Sequence, residues 1–141
     1  MRPRADAIQV GVRPDRYVGG VLTYLLIGLG GAAGSVGRYW LSSNVDQRVD
    51  DALPWGTLLV NVLGSLAIGA LAALDSLAAD TRLFLMVGLC GGFTTFSAFS
   101  LQTVELLRDG LQARAAVNIA VSVTVCLLAT WAALTVTDRL A

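Results

Sequence analysis

Residues 83–107 read LFLMVGLCGGFTTFSAFSLQTVELL, an apolar run interrupted at its centre by Gly91-Gly92 and then by Thr94-Thr95. Apart from the thiol of Cys90, its only ionisable side chain is Glu105, close to one end. Such a run matches the ~20 residues a helix needs to cross a bilayer. Three further runs of the same kind lie at residues 17–41, 55–77 and 115–137. At about 1.5 Å of rise per residue each makes a rod of roughly 35 Å, enough to span with slight tilt. Four consecutive helices that are apolar on nearly every face leave little to meet water, which sets the sequence against a soluble bundle.

Composition agrees. Of 141 residues, 55% are hydrophobic and 14% charged, with a mean hydropathy of +0.69, whereas soluble domains run at about 45–50% apolar and about 25% charged. Disorder is excluded by the same figures. The formal net charge is +0 and all ten cations are arginine, so no basic field exists to hold a polyanion and nucleic acid is excluded as a partner. Cys90 and Cys126 sit in apolar runs without C-x-x-C spacing, and read as small buried residues. Residues 42–54, 78–82 and 108–114 read as short polar connections. Residues 1–16, with Arg2, Arg4, Arg13 and Arg16, form a polar tail that lacks the apolar core of a signal peptide. The chain therefore divides into a tail, 1–16, and a four-helix membrane domain, 17–141.

With an even number of spans, one side holds Arg2, Arg4, Arg13, Arg16, Arg82 and Arg139 and the other Arg48, Arg108 and Arg114, with Arg38 if it lies at the far end of span one. Setting the tail aside leaves two arginines against three or four. The body thus carries almost no positive-inside signal, and either a tail-fixed orientation or insertion both ways up is open to it.

An ionisable group inside a membrane is a functional hypothesis by default. Asp75, Asp80, Glu105, Asp109 and Asp138 all fall at span ends, and snorkelling accounts for Arg38. A small four-helix multidrug-type transporter, the rival reading, would need a mid-membrane carboxylate that this sequence lacks. There is no histidine to act as base or ligand, and the sequence does not read as an enzyme.

What remains is neutral polarity. Asn61 shares a helical face with Gly64, Ser65 and Ile68; its amide either bonds another helix or donates to a passing ion. Gly91-Gly92 and Thr94-Thr95 are poor helix formers. They either unwind the span, freeing carbonyls that suit a hard cation, or simply allow close packing. Phe96 and Phe99 share a face, and phenyl edges are electropositive. In span one Gly30 and Gly34 form a G-x-x-x-G pair. In span four Asn118, Ser122, Cys126 and Thr130 recur at intervals of four, making a polar stripe.

These motifs resemble the Fluc (CrcB) fluoride channels in type and order: Gly30-Gly31, Gly34 and Arg38-Tyr39 in span one; Gly56-Thr57-Leu58, Val60-Asn61 and Gly64-Ser65 in span two; Gly91 to Ser97, then Phe99-Ser100, in span three. The resemblance covers residues 22–137. It implies an all-α membrane protein of four transmembrane helices with a break in the third, assembled as an antiparallel dual-topology homodimer with fluoride pores along the interface. It implies passive fluoride efflux across the cell membrane, lowering cytoplasmic fluoride and its toxicity. Asn61, Phe96 and Phe99 would line the pore, with Ser122 and Asn118 on its polar track. The backbone carbonyls of Gly91 and Thr94 would hold a structural Na⁺, not transported, at the dimer centre. Partners would be fluoride, membrane lipid and a second copy of the chain.

Overall fold

The structure, a computed structural model, describes residues 20–49 and 52–140; the tail at 1–16 lies outside them. All regular structure among the described residues is helical. Helix α1 runs Val21–Asp46, α2 Trp55–Ala73, α4 Phe96–Arg108 and α5 Gln112–Leu140. Between α2 and α4, α3 occupies residues 79–93: one α-turn at Ala79–Arg82, a π-helical run at Leu83–Cys90, and a final turn at Gly91–Phe93. Together α3 and α4 make the third of four segments long and apolar enough to cross a membrane. In hydrocarbon a helix satisfies its own backbone, which is why apolar runs of this length take that form.

The span ends differ from those the sequence suggests, for local reasons. Helix α1 continues through the polar residues 42–46 because their side chains bond back into it: the Ser42 hydroxyl donates to the Tyr39 carbonyl and the Asn44 amide to that of Trp40, at 3.3 and 2.7 Å. Its last residue, Asp46, accepts from the Gly56 N–H at 2.8 Å, placing a carboxylate on the electropositive start of α2. At the other end α2 stops at Ala73, short of residue 77. Leu74 leaves the helix at ψ 89°, and the Arg82 guanidinium donates to its carbonyl. Helix α4 ends in a Schellman motif: Gly110 has φ +74°, and Gly110 and Leu111 donate to the carbonyls of Leu107 and Leu106 at 3.1 and 2.8 Å.

Of the four residues read as either unwinding the span or allowing close packing, Gly91 and Gly92 stay helical and Thr94 and Thr95 interrupt the helix. Cys90 and Gly91 have helical dihedrals, and the extended residues are Thr94 (φ −79°, ψ 155°) and Thr95 (φ −150°, ψ 113°). The glycines serve approach instead. Helix α1 packs chiefly on α3, and α2 chiefly on α5. A Cβ on Gly30 would stand 2.5 Å from the Phe84 carbonyl and 3.0 Å from the Gly88 Cα; one on Gly34 would run into the Leu89 carbonyl, and one on Gly92 into that of Gly31. The α1–α3 contact is thus backbone against backbone, the arrangement small residues permit in membranes. Only 6–33% of each spanning segment is buried within the subunit, so lipid or another chain must cover the rest.

Gly34 and Gly28 lie on the same helix, but nothing lies within 4 Å of a Cβ on Gly28. Gly34→Ala should destabilise the detergent-solubilised protein by about 1–3 kcal/mol, the usual cost of overpacking, and Gly28→Ala should leave it unchanged. Thermal unfolding of the two variants side by side reads the difference.

Candidate functional site

Two consecutive residues of extended backbone at membrane depth must find hydrogen-bond partners outside their own helix. Asn61, on α2, supplies them. Its Oδ1 accepts from the Thr95 N–H at 2.8 Å and its Nδ2 donates to the Thr95 carbonyl at 3.1 Å. The side-chain amide therefore mimics a neighbouring strand, matching one donor and one acceptor. An amide nitrogen carries two protons, so one N–H of Asn61 remains for another acceptor. Gly64, one turn along α2, lets this face close: a Cβ there would run into the Thr94 methyl group.

The threonines divide the remaining work. Thr94 N–H and Oγ1 both donate to the Cys90 carbonyl, each at 2.9 Å, finishing α3. Thr95 Oγ1 accepts from the Ala98 N–H at 3.1 Å and caps α4, the usual service of a threonine at this position. These diversions have a consequence for two carbonyls. In a continuous helix the Thr95 N–H would return to Gly91 and the Ala98 N–H to Thr94; here they bond Asn61 and Thr95 Oγ1 instead. The carbonyl oxygens of Gly91 and Thr94 are thereby released from their helical donors. Among the described residues no group of three His, Cys, Asp or Glu side chains is arranged to hold a metal.

A cavity of about 360 Å³ opens beside the junction. Asn61, Ser65, Phe96, Phe99, Ser122 and Cys126 face it, and no charged side chain lines it. The two phenyl rings have centroids 5.3 Å apart and an interplanar angle of 48°, so they present edges as well as faces. Phe99 is buried, while Phe96 is 76% exposed at the subunit surface. A second cavity, of about 310 Å³, lies between the α1–α2 connection and α4 and is lined by Asp46, Glu105 and Asp109. Three carboxylates repel an anion, and the neutral cavity is the better place for one.

Of the stripe on α5, Ser122 and Cys126 reach the neutral cavity. Thr130 instead donates to the Ser65 carbonyl at 3.2 Å, fastening α5 to α2. Asn118 is 2% exposed and is not among the lining residues; its Nδ2 donates to Thr103 Oγ1 at 2.9 Å and its Oδ1 accepts from Ser122 at 3.4 Å. Thr95 and Thr103 went unassigned in the sequence reading. Thr95 was findable, since a threonine three residues ahead of a helical amide is an N-cap pattern. Thr103 carried no such signal.

A bundle of four membrane-spanning segments with extended backbone held at depth beside an uncharged, largely apolar cavity defines a multi-pass membrane protein. The family model described as CrcB-like protein, Camphor Resistance (CrcB), matches residues 25–134, and the chain belongs to that family. It is 53% identical over 114 residues to the fluoride-specific ion channel FluC of Opitutus terrae, covering 77% of this chain and 86% of that one. Proteins of the same name from Paramagnetospirillum magneticum and Rhodospirillum rubrum are 49% and 47% identical. Those matches cover 79% and 78% of this chain and 91% and 90% of theirs.

Asn61→Leu removes both bonds to Thr95 and strands a backbone donor and acceptor. The expected loss is about 2–6 kcal/mol, from roughly 1–3 kcal/mol for each of the two unsatisfied buried groups. Thr95→Ala keeps those backbone atoms and loses the cap and the hydroxyl contact with Ser97, at a cost of about 1 kcal/mol. Denaturant unfolding of the purified variants should rank them in that order.

Proposed function

We propose that this chain is the subunit of a fluoride-selective channel of the cell membrane that releases fluoride passively and so lowers its cytoplasmic level and toxicity. The observation that carries the reading is the uncharged cavity, which Asn61, Ser122, Phe96 and Phe99 all line. Fluoride is small and strongly hydrated, and a pore that selects it must replace its water with closely spaced neutral donors. The free N–H of Asn61, a rotatable hydroxyl and electropositive ring edges are donors of that kind. The related fluoride-specific ion channels support the same ion. No carboxylate lines this cavity, which favours a channel over a proton-coupled multidrug-type transporter, and neither ATP nor a proton gradient is required. A negative-inside potential drives an anion outward with about 2.3 kcal/mol per charge per 100 mV.

The working unit is an antiparallel dual-topology homodimer of subunits whose third span is broken at Thr94-Thr95, with lipid around it and no nucleic acid partner. The exposed Phe96 ring at the cavity and the near balance of arginines in the body both favour a second, inverted copy. Asn118 belongs to the polar track behind Ser122. The Gly91 and Thr94 carbonyls, released from their helical donors, fit a structural Na⁺, because neutral oxygens are the ligands hard cations take. Such an ion would supply fixed positive charge without a titratable group.

Liposomes loaded with fluoride and set at a defined potential should release it to an electrode, while chloride stays inside. Equal rates for the two ions would sink the proposal. A second test isolates the cation. The nearest atom to a Cβ on Gly91 is the Met86 carbonyl at 3.9 Å, so Gly91→Val places its Cβ without a clash in the subunit. We expect it to yield folded protein with fluoride release reduced at least about tenfold, because the side chain crowds the carbonyl site. Wild-type protein prepared with Na⁺ replaced by a large organic cation should lose activity similarly.

A further inference from the structure

Behind Ser122 runs a chain of three hydrogen bonds whose direction is fixed from one end. Thr103 Oγ1 donates to the Phe99 carbonyl at 2.7 Å. A carbonyl can only accept, so this bond commits the single proton of the Thr103 hydroxyl. Thr103 is then an acceptor for Asn118, whose Nδ2 stands 2.9 Å away. With its nitrogen turned to Thr103, the amide must present Oδ1 to Ser122, and the Ser122 hydroxyl donates to it at 3.4 Å. Thr103, Asn118 and Ser122 are 7%, 2% and 7% exposed, so solvent does not compete for these groups in the subunit. The bonds lengthen toward the cavity, and the last is the weakest.

We propose that Thr103 is a positioning residue for anion passage: by fixing the orientation of the Asn118 amide, it keeps the Ser122 hydroxyl a reversible donor. Without an ion the Ser122 proton rests on Asn118 Oδ1. When an anion reaches the cavity the hydroxyl turns to donate to it, giving up only the long bond, and it turns back when the ion leaves. A conducting site must bind strongly enough to admit an ion and weakly enough to release it, and a donor with an internal acceptor to return to meets both conditions. Removing the Thr103 hydroxyl leaves the Asn118 nitrogen without its acceptor. The amide then turns to donate to Ser122 Oγ, which denies the Ser122 proton its resting place and directs it into the cavity. The ion is held, and passage slows. This inference rests on the fluoride-channel reading above and adds a residue with no contact to the cavity.

The test measures initial fluoride efflux from liposomes, normalised to monodisperse protein, for wild type, Thr103→Val, Thr103→Ser, Ser122→Ala and the Thr103→Val/Ser122→Ala double variant. Thr103→Val should slow efflux about fivefold, the equivalent of one hydrogen bond, and Thr103→Ser should restore it to within about twofold of wild type. In the Ser122→Ala background Thr103→Val should have no further effect, since the donor through which it acts is gone. Asn118→Leu removes the same internal acceptor and serves if Thr103→Val fails to fold: it too should slow efflux alone and be silent when combined with Ser122→Ala. Wild-type rates for Thr103→Val, failure of Thr103→Ser to restore them, or effects that multiply in the double variant would each overturn the assignment. If wild type itself released no fluoride, the channel reading would fall, whereas the other outcomes leave it standing.

Discussion

The two hydrogen bonds between the Asn61 amide and the Thr95 backbone carry the architecture of the third span. A membrane offers no water to an interrupted helix, so two extended residues at that depth are tolerable only if a partner takes both their donor and their acceptor. An amide is the one uncharged side chain that supplies both at the right separation. The rest follows. With Thr95 N–H drawn to Asn61 and Ala98 N–H drawn to Thr95 Oγ1, the carbonyls of Gly91 and Thr94 lose their helical donors. The chain resumes as α4 on a new start, and that start brings Phe96 and Phe99 to the cavity that Asn61 also faces. One pairing thus accounts for two features at the junction: backbone oxygens released from their helical donors, and the placement of Phe96 and Phe99 beside Asn61 at the cavity.

Close backbone contact makes the pairing possible. Gly64 allows Thr94 to lie directly on α2, and the glycines at 30, 34, 88 and 92 let α1 and α3 approach until main chain meets main chain. Because lipid is as apolar as the side chains, helix association in a bilayer draws on packing and interhelical hydrogen bonds. This subunit uses packing between α1 and α3, where the Ser35 hydroxyl adds only a 3.4 Å bond to the Gly92 carbonyl, and hydrogen bonds between α2, α4 and α5. Gly91 and Gly92 have different surroundings: a Cβ on Gly92 would run into the Gly31 backbone of α1, whereas one on Gly91 would meet only the Met86 carbonyl, at 3.9 Å.

Much of this was legible in the amino acids. Four apolar runs of spanning length dictate four membrane segments, because chain length and hydrophobicity decide that alone. Their ends were not, since Ser42 and Asn44 look like loop residues by composition but extend α1 by bonding its own carbonyls. Glycine pairs suggested unwinding at 91–92, yet intrinsic propensity is a weak prior and the extended residues are the threonines that follow. The face shared by Asn61, Gly64 and Ser65 was readable from helical spacing, and all three meet the cavity. The stripe on α5 was readable as a stripe but not in its division of labour. Spacing by four places Asn118, Ser122 and Thr130 on one face, while the partners that separate them, Thr103 and the Ser65 carbonyl, come from other helices and leave no mark in the local pattern.

The absence of charge from the cavity lining bears on how any anion would be handled there. A buried cation such as arginine would attract an anion strongly, but at low dielectric two unit charges at 4 Å interact several times more strongly than near a protein surface, and release would suffer. Neutral donors give each contact a smaller share, and an ion moving past them can exchange one for the next. Ser122 shows how such exchange is built. Its hydroxyl has an internal acceptor in Asn118 Oδ1 at 3.4 Å, and Asn61 keeps one N–H beyond the one bound to Thr95. On the reading proposed above, the Ser122 hydroxyl returns to Asn118 Oδ1 when the ion moves on, whereas the second Asn61 N–H is held in place only by the bonds its amide makes to Thr95. In the proposed site the groups behind these donors, Thr95 for Asn61 and Thr103 with Asn118 for Ser122, would keep them aimed through the hydrogen bonds that join them. A site of this kind selects through the spacing of fixed weak donors, and its fidelity depends on side chains that never touch the ion.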